Sequence, residues 1–184
     1  MTRHVLVLGG ARSGKTAFAE QLAIRSGSHP AYLATAEALD AEMRDRVESH
    51  KAGRAARFTT IEEPLALSEA LLEAATQHDV ILVDCLTLWI TNLLLANRNV
   101  AKAVSELGDT LAQVRDAKVI LVSNEVGLGI VPDNAMARTF RDLAGAAHQR
   151  LAEICDDVYF VVAGLPMTVK GEAPGQEGNG VHLA

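Results

Sequence analysis

Residues 9–16 read GGARSGKT, which matches the phosphate-binding pattern G-x-x-x-x-G-K-[ST]. The apolar run at 4–8 precedes this loop, so a predicted strand leads directly into it. Backbone N–H groups of such a loop, together with the first turn of the helix that follows, surround a phosphate group. In this pattern Lys15 contacts the outer phosphates and the Thr16 hydroxyl binds Mg²⁺. The loop therefore predicts binding of a nucleoside triphosphate with Mg²⁺.

Two other polar positions follow apolar runs that are typical of buried strands. Asp84 ends the run VILVD and would hold Mg²⁺ directly or through water, although an acid there is also suited to begin the next helix. The segment 124–132, NEVGLGIVP, either lines an active site or forms a structural turn before a helix that starts near Pro132. It lacks the N-K-x-D motif that reads guanine in switch GTPases, which disfavours that class.

His50 ends a helical pattern over 41–50 and is followed by Lys51 and Arg54. A lone histidine near a helix C-terminus more often caps the helix than catalyses a reaction. Two cations beside Gly53 are nevertheless suited to a phosphate group. The residues alone therefore favour a structural role for His50, as a helix cap.

The composition indicates one soluble globular domain. The chain has 184 residues, of which 49% are hydrophobic and 22% charged, and its formal net charge is −6. A net negative charge disfavours nucleic acid and anionic membranes as partners. Two cysteines suggest no disulfide framework, and we recognise neither a secretory leader nor an apolar run long enough to span a membrane. We therefore expect a cytoplasmic protein.

Short apolar runs alternate with longer helical patterns along the chain. The predicted strands are 4–8, 31–35, 56–60, 79–84, 118–123 and 157–163, and the predicted helices are 15–26, 39–51, 64–76, 86–96, 100–116 and 133–154. In the last helix Met136, Phe140, Leu143, Ala147 and Leu151 form one apolar stripe. Repeated β-then-α units predict a three-layer α/β sandwich with a mostly parallel sheet, of the RecA-like phosphate-loop NTPase class. We expect one domain over 1–170 and a poorly ordered or loosely docked tail over 171–184.

Several segments together resemble one known family. They are GGARSGKT at 9–16, YLATA at 32–36, RVESHKAGR at 46–54, VDCLTLWITNLL at 83–94, SNEVGLGIVPDNAMARTFRDLAG at 123–145 and GLPMTVKG at 164–171. They are similar, in the same order from residue 3 to about 171, to the bifunctional adenosylcobinamide kinase / adenosylcobinamide-phosphate guanylyltransferases of cobalamin biosynthesis.

The resemblance implies a role for specific residues. It implies that His50 carries GMP as a covalent intermediate and that Lys15 is catalytic, which reverses the interpretation of His50 from the residues alone. The implied nucleotide-binding residues are Gly9, Gly10, Ala11, Arg12, Ser13, Gly14, Lys15, Thr16, Ala34, Thr35, Ala36, Lys51, Ala52, Gly53, Arg54, Glu62 and Asp84. This chain has Asp84 where some relatives have Glu, and His148 where relatives often have Asn. We therefore interpret His148 as a helix position rather than a catalyst.

The resemblance also implies the reactions and the ligands. ATP or GTP, with Mg²⁺, would phosphorylate adenosylcobinamide, and GMP from GTP would then pass through His50 to the phosphorylated corrinoid. Only a neutral imidazole attacks phosphorus, so guanylylation should fade below roughly pH 6. A corrinoid is large for one small domain, and we therefore expect a homo-oligomer. The alternatives are another small-molecule kinase with no covalent intermediate, or a non-catalytic nucleotide switch.

Overall fold

A computed structural model of the protein describes residues 3–36 and 57–174. The strands are β1 (Val5–Gly9), β2 (Pro30–Ala34), β3 (Thr59–Glu62), β4 (Val80–Asp84), β5 (Lys118–Asn124), β6 (Asp157–Val162) and β7 (Leu165–Lys170). The helices in the described ranges are α1 (Lys15–Ser26), α2 (Leu67–Ala74), α3 (Leu86–Leu95), α4 (Val100–Gln113) and α5 (Ala135–Ile154).

The strands form one sheet in the order β3-β2-β4-β5-β1-β6-β7. All neighbouring pairs are parallel except β6 and β7, which are antiparallel. The central strands β1, β4 and β5 are apolar on both faces because both faces are covered. Residues of α1 pack on one face, and residues of the other four described helices pack on the opposite face. The predicted three-layer sandwich with a mostly parallel sheet is confirmed.

The six predicted strands are all present, with ends that differ by up to three residues from the prediction. The predicted helix over 39–51 lies outside the described residues. The prediction placed no strand after residue 163, and this was wrong, because β7 pairs with β6 along the edge of the sheet. The two strands are joined by Ala163 and Gly164, both with positive φ (50° and 81°), as in a tight hairpin turn. Alanine at such a position gives a weak turn signal, which is why the hairpin was missed.

The apolar stripe predicted for α5 is only partly buried. Ala147 and Leu151 are in the core, and Phe140 and Leu143 pack at its margin. Met136 was expected to join them, but 61% of it is exposed. It lies in the first turn of α5, before the helix reaches the packed part of the sheet, so the helical period alone was misleading there.

The chain ends of the described structure meet beside β6. The Glu172 carbonyl accepts a hydrogen bond from the Tyr159 hydroxyl at 2.8 Å, and the Glu172 N–H donates to Asp157 at 3.0 Å. The start of the predicted tail therefore contacts the sheet, while residues 175–184 lie outside the described ranges. Among the helices of those ranges, none combines the length and the apolar character needed to cross a membrane.

Candidate active site

The loop between β1 and α1 lies at the carboxyl edge of the parallel strands, and two other elements hold it there. The N–H of Glu125, just after β5, donates to the Gly9 carbonyl at 2.9 Å. The N–H of Gly164, in the β6–β7 turn, donates to the Ser13 carbonyl at 2.7 Å. Arg12 and Gly14 both have positive φ, at 55° and 92°. The loop is thus supported on both sides by neighbouring elements of the sheet.

Close packing explains why glycine is needed at both ends of this loop. A Cβ on Gly9 would lie 2.5 Å from Ser13 Oγ and 2.7 Å from the Val161 carbonyl oxygen. A Cβ on Gly14 would lie 3.0 Å from the Gly164 Cα, in addition to the strain of its positive φ. The two glycines therefore let the loop fold tightly against the sheet.

Lys15 is buried at the start of α1, and its ammonium donates to the Gly10 carbonyl at 3.1 Å. The charge is therefore held over the loop, where an anion would bind. The N-terminus of α1 adds the positive end of its dipole to the same place. Together these groups form an electropositive cradle that suits a phosphate group.

Thr16 and Asp84 bring two oxygen ligands together beside this cradle. The Thr16 hydroxyl donates to Asp84 Oδ2 at 3.2 Å, although the two residues belong to different elements, α1 and β4. Magnesium prefers hard oxygen ligands and is commonly held by one or two protein groups together with substrate phosphates. The residues present therefore fit Mg²⁺, and Thr16 and Asp84 are the side chains that could hold it.

The predicted residues on β2 and β3 lie at the same edge. Ala34 is opposite both Glu62 and Asp84 in the strand register, so the last residues of three neighbouring strands are adjacent. Thr35 is fully buried, and its hydroxyl donates to the Cys85 carbonyl at 2.8 Å while accepting from the Cys85 N–H at 2.9 Å. The Thr35 side chain therefore ties the ends of β2 and β4 together. The Thr35 backbone is engaged as well, because its N–H donates to the Asp84 carbonyl at 3.1 Å and its carbonyl accepts from the Asn92 side-chain amide at 2.8 Å.

The loop after β5 forms a structural turn, which is one of the two roles that the sequence left open. The Glu125 carboxylate accepts hydrogen bonds from the N–H groups of Gly127, at 2.7 Å, and Leu128, at 3.1 Å, as in a structural turn. The backbone of Glu125 nevertheless contacts the phosphate loop, because its N–H donates to the Gly9 carbonyl. Ile130 in the same loop is 98% exposed. The carboxylate is engaged by its own turn, while the loop itself borders the site.

His148 is placed as a structural residue of α5, as interpreted from the sequence. Its Nε2 lies 2.7 Å from the Ser123 hydroxyl on β5, and the side chain is buried. Burial lowers the pKa of the His148 imidazole below its ordinary value of 6.5, and the charge of Glu125 offsets this only in part.

Five predicted residues, His50, Lys51, Ala52, Gly53 and Arg54, lie outside the described ranges. The first described range ends at Ala36, two residues after the end of β2 at the carboxyl edge of the sheet, and the second begins at Arg57. The assignments to these five residues therefore stay predictions from the resemblance.

Sequence reasoning missed Tyr32, whose hydroxyl donates to Asp84 Oδ2 at 2.6 Å. The available signal was a polar group within the otherwise apolar strand AYLA, but its partner depends on β2 lying beside β4.

A parallel sheet with a phosphate loop at its carboxyl edge defines the class as a phosphate-loop nucleoside-triphosphate-binding protein with a RecA-like fold. Solved structures agree with this fold. A protein from Pyrococcus horikoshii OT3 is similar with a TM-score of 0.53 at 11% identity, over 94% of this chain and 88% of that one. An ATPase from the type III secretion system of pathogenic bacteria is similar with a TM-score of 0.54 at 12% identity, over 90% of this chain and 56% of that one.

Sequence comparison assigns the family. The family model described as cobinamide kinase / cobinamide phosphate guanyltransferase matches residues 5–169. The bifunctional adenosylcobalamin biosynthesis protein CobP of Pseudomonas aeruginosa is 49% identical, over 91% of this chain and 97% of that protein. The CobU protein of Salmonella typhimurium, described in the same words, is 41% identical over 90% of this chain and 99% of its own. The chain belongs to the cobinamide kinase / cobinamide phosphate guanyltransferase family and is an enzyme with these activities, which confirms the resemblance drawn from the motifs.

Proposed function

We propose that the protein phosphorylates adenosylcobinamide with ATP or GTP and then transfers GMP from GTP to the product through His50, giving adenosylcobinamide-GDP. The observation that carries this proposal is the phosphate loop with its Thr16–Asp84 oxygen pair at the carboxyl edge of the sheet, in a chain of this family. The role of His50 rests on its match to the family motif RVESHKAGR at 46–54.

The first reaction moves the γ-phosphoryl group of the donor to a hydroxyl of the corrinoid side arm. Phosphoryl transfer depends chiefly on positioning and charge stabilisation rather than on covalent chemistry. The backbone N–H groups of 9–16 would bind the phosphates, and Lys15 would neutralise charge on the outer ones. Magnesium held by Thr16 and Asp84 would supply further charge neutralisation on the phosphate oxygens.

In the second reaction a ring nitrogen of neutral His50 attacks the α-phosphorus of GTP. The bond from that phosphorus to the β-phosphate oxygen breaks, and pyrophosphate leaves. A phosphate oxygen of the phosphorylated corrinoid then attacks the same phosphorus and displaces the histidine, which is restored. Dividing one displacement into two easier ones is the advantage of a covalent nucleophile.

The proposal also covers the oligomeric state of the enzyme and its location in the cell. We expect a homo-oligomer, because a corrinoid is a large ligand for a single domain of 184 residues. We also place the enzyme in the cytoplasm. The supporting observation is that Cys85 and Cys155 are both buried as free thiols.

The decisive experiment asks whether GMP becomes attached to His50. Protein incubated with Mg²⁺ and GTP labelled on the α-phosphate should retain label after denaturation, stable to alkali and labile to acid, whereas γ-labelled GTP should leave none. His50→Ala should abolish labelling, and His29→Ala, at an exposed histidine, should retain it. Label that persists in His50→Ala would refute the assignment of the nucleophile. Phosphoryl transfer with no label in the unaltered protein would reduce the function to a kinase.

A further inference from the structure

Tyr32 lies within β2 and directs a polar group at the candidate active site. The side chain is 4% exposed, and its ring packs edge-on against Phe58 with centroids 5.9 Å apart. Its hydroxyl donates to Asp84 Oδ2 at 2.6 Å. This distance is typical of an O–H group bonded to an ionised carboxylate, the stronger class of hydrogen bond.

The Asp84 oxygen that accepts from Tyr32 is also the oxygen that accepts from Thr16, at 3.2 Å. The strand register explains how the three groups meet. Ala34 on β2 is opposite Asp84 on β4, so Tyr32, two residues earlier, projects from the same face of the sheet as Asp84. One carboxylate oxygen is therefore held between the phosphate loop and the neighbouring strand.

Packing does not account for the hydroxyl of Tyr32. A phenylalanine would fill the same space against Phe58, and a buried hydroxyl is tolerated only with a partner. That partner is the acid of the candidate metal pair rather than a backbone carbonyl. With Oδ2 held by two donors, the orientation of the carboxylate is fixed. Within residues 3–36 and 57–174, the other carboxylate oxygen of Asp84, Oδ1, accepts no hydrogen bond.

We propose that Tyr32 is a positioning residue that orients Asp84 so that the carboxylate, together with Thr16, binds the divalent cation accompanying the nucleotide. Loss of a group that hydrogen-bonds to a metal ligand and orients it typically weakens metal binding about 10- to 100-fold. This inference rests on the proposed nucleotide site and adds a specific role for a residue on β2.

The chain contains a matched control, because its two tyrosines occupy similar environments. Tyr159 is also 4% exposed, packs edge-on against Phe18 at 5.5 Å, and donates its hydroxyl to the Glu172 carbonyl at 2.8 Å. Tyr159→Phe therefore removes a comparable buried hydroxyl whose partner is a backbone carbonyl and not the candidate metal pair. Both variants keep their rings, so their folding can be compared by thermal unfolding.

The test measures metal binding rather than turnover. Mn²⁺, in place of Mg²⁺, is titrated into full-length protein with the α,β-methylene analogue of GTP, which cannot transfer GMP, and bound Mn²⁺ is followed by electron paramagnetic resonance. Tyr32→Phe should raise the Mn²⁺ concentration for half-saturation about tenfold, and Tyr159→Phe should leave it unchanged.

Equal Mn²⁺ affinity in Tyr32→Phe and the unaltered protein would overturn the positioning role while leaving the proposed function intact. An equal loss in both variants would also overturn it, since the effect would then follow from lost stability. If the unaltered protein bound no Mn²⁺ with the analogue, the proposed nucleotide site would itself be wrong, and this inference with it.

Discussion

Thr35 and His148 are buried polar residues that bond to structural partners, whereas the Asp84 carboxylate accepts hydrogen bonds from Thr16 and Tyr32 beside the phosphate loop. Thr35 bonds to the backbone of Cys85, and His148 bonds to Ser123. Buried polar groups need such partners, because an unpaired one costs about 1–3 kcal/mol. The hydrogen-bond partners of a buried polar residue therefore separate a structural position, such as Thr35 or His148, from one beside the phosphate loop, such as Asp84.

At the residue scale, His148 should make stability depend on pH. Because burial lowers the pKa of His148 in the folded protein, the unfolded chain takes up a proton first as the pH falls below 6.5. Stability should then be lost, by at most about 1.4 kcal/mol per pH unit, until the folded-state pKa is reached. His148→Asn removes this titration, so urea unfolding at pH 7.5 and 5.5 should show a smaller difference in the variant. The same difference in both proteins would contradict the prediction.

At the scale of elements, the phosphate loop depends on strands that are distant in sequence. β5 contributes the N–H of Glu125, and the β6–β7 turn contributes the N–H of Gly164. The loop also packs so closely on Val161 of β6 that Gly9 has no room for a side chain. The turn that leads into β7, a strand that the sequence did not predict, thus belongs to the support of the site.

This close approach predicts different effects for two adjacent glycines. Gly9→Ala places a Cβ 2.7 Å from a backbone oxygen that cannot easily move, and should cost about 1–3 kcal/mol of unfolding free energy. At Gly10 a Cβ would meet nothing within 4 Å, so Gly10→Ala serves as the control and should unfold nearly as the unaltered protein does. Urea unfolding measures both. Equal stability of the two variants would show that the loop relaxes away from β6.

At the scale of the whole molecule, the two ends of the described chain are joined by charge. Arg3 donates two hydrogen bonds to Asp157, at 2.7 and 3.1 Å, and one to Glu172 at 3.0 Å. Burial alone would raise the pKa of Asp157, but the hydrogen bonds from Arg3 and from the Glu172 N–H outweigh it, so the pKa lies below its ordinary value of 3.8. The start of the predicted tail is therefore held to the sheet.

The ion pair between Arg3 and Asp157 should stabilise the folded protein in a defined pH range. Because the pKa of Asp157 is lowered on folding, its contribution is present above pH 3.8 and is lost as the pH falls through the lower folded-state value. Asp157→Asn should reduce the thermal stability at pH 7 and flatten its acid dependence below pH 4. The control, Glu153→Gln, removes one partner of the exposed Arg150–Glu153 pair and should change little. Comparable losses in both variants would contradict this prediction.

The sequence by itself determined what is encoded in neighbouring residues. Eight consecutive residues contain the whole phosphate loop, and apolar runs such as VILVD specify buried strands, because these properties depend on local backbone chemistry and periodicity. The general geometry of parallel sheets then placed Asp84 and the loop at one edge, and the structure agrees.

Tertiary structure alone decided which distant side chains meet. Tyr32 and Asp84 are 52 residues apart and touch only because β2 lies beside β4 in one register. In the same way, the position of the β6–β7 turn brings Gly164 to Ser13, and the place where α5 begins leaves Met136 exposed. Strand order and register result from the packing of the entire chain, and no window of local sequence contains them.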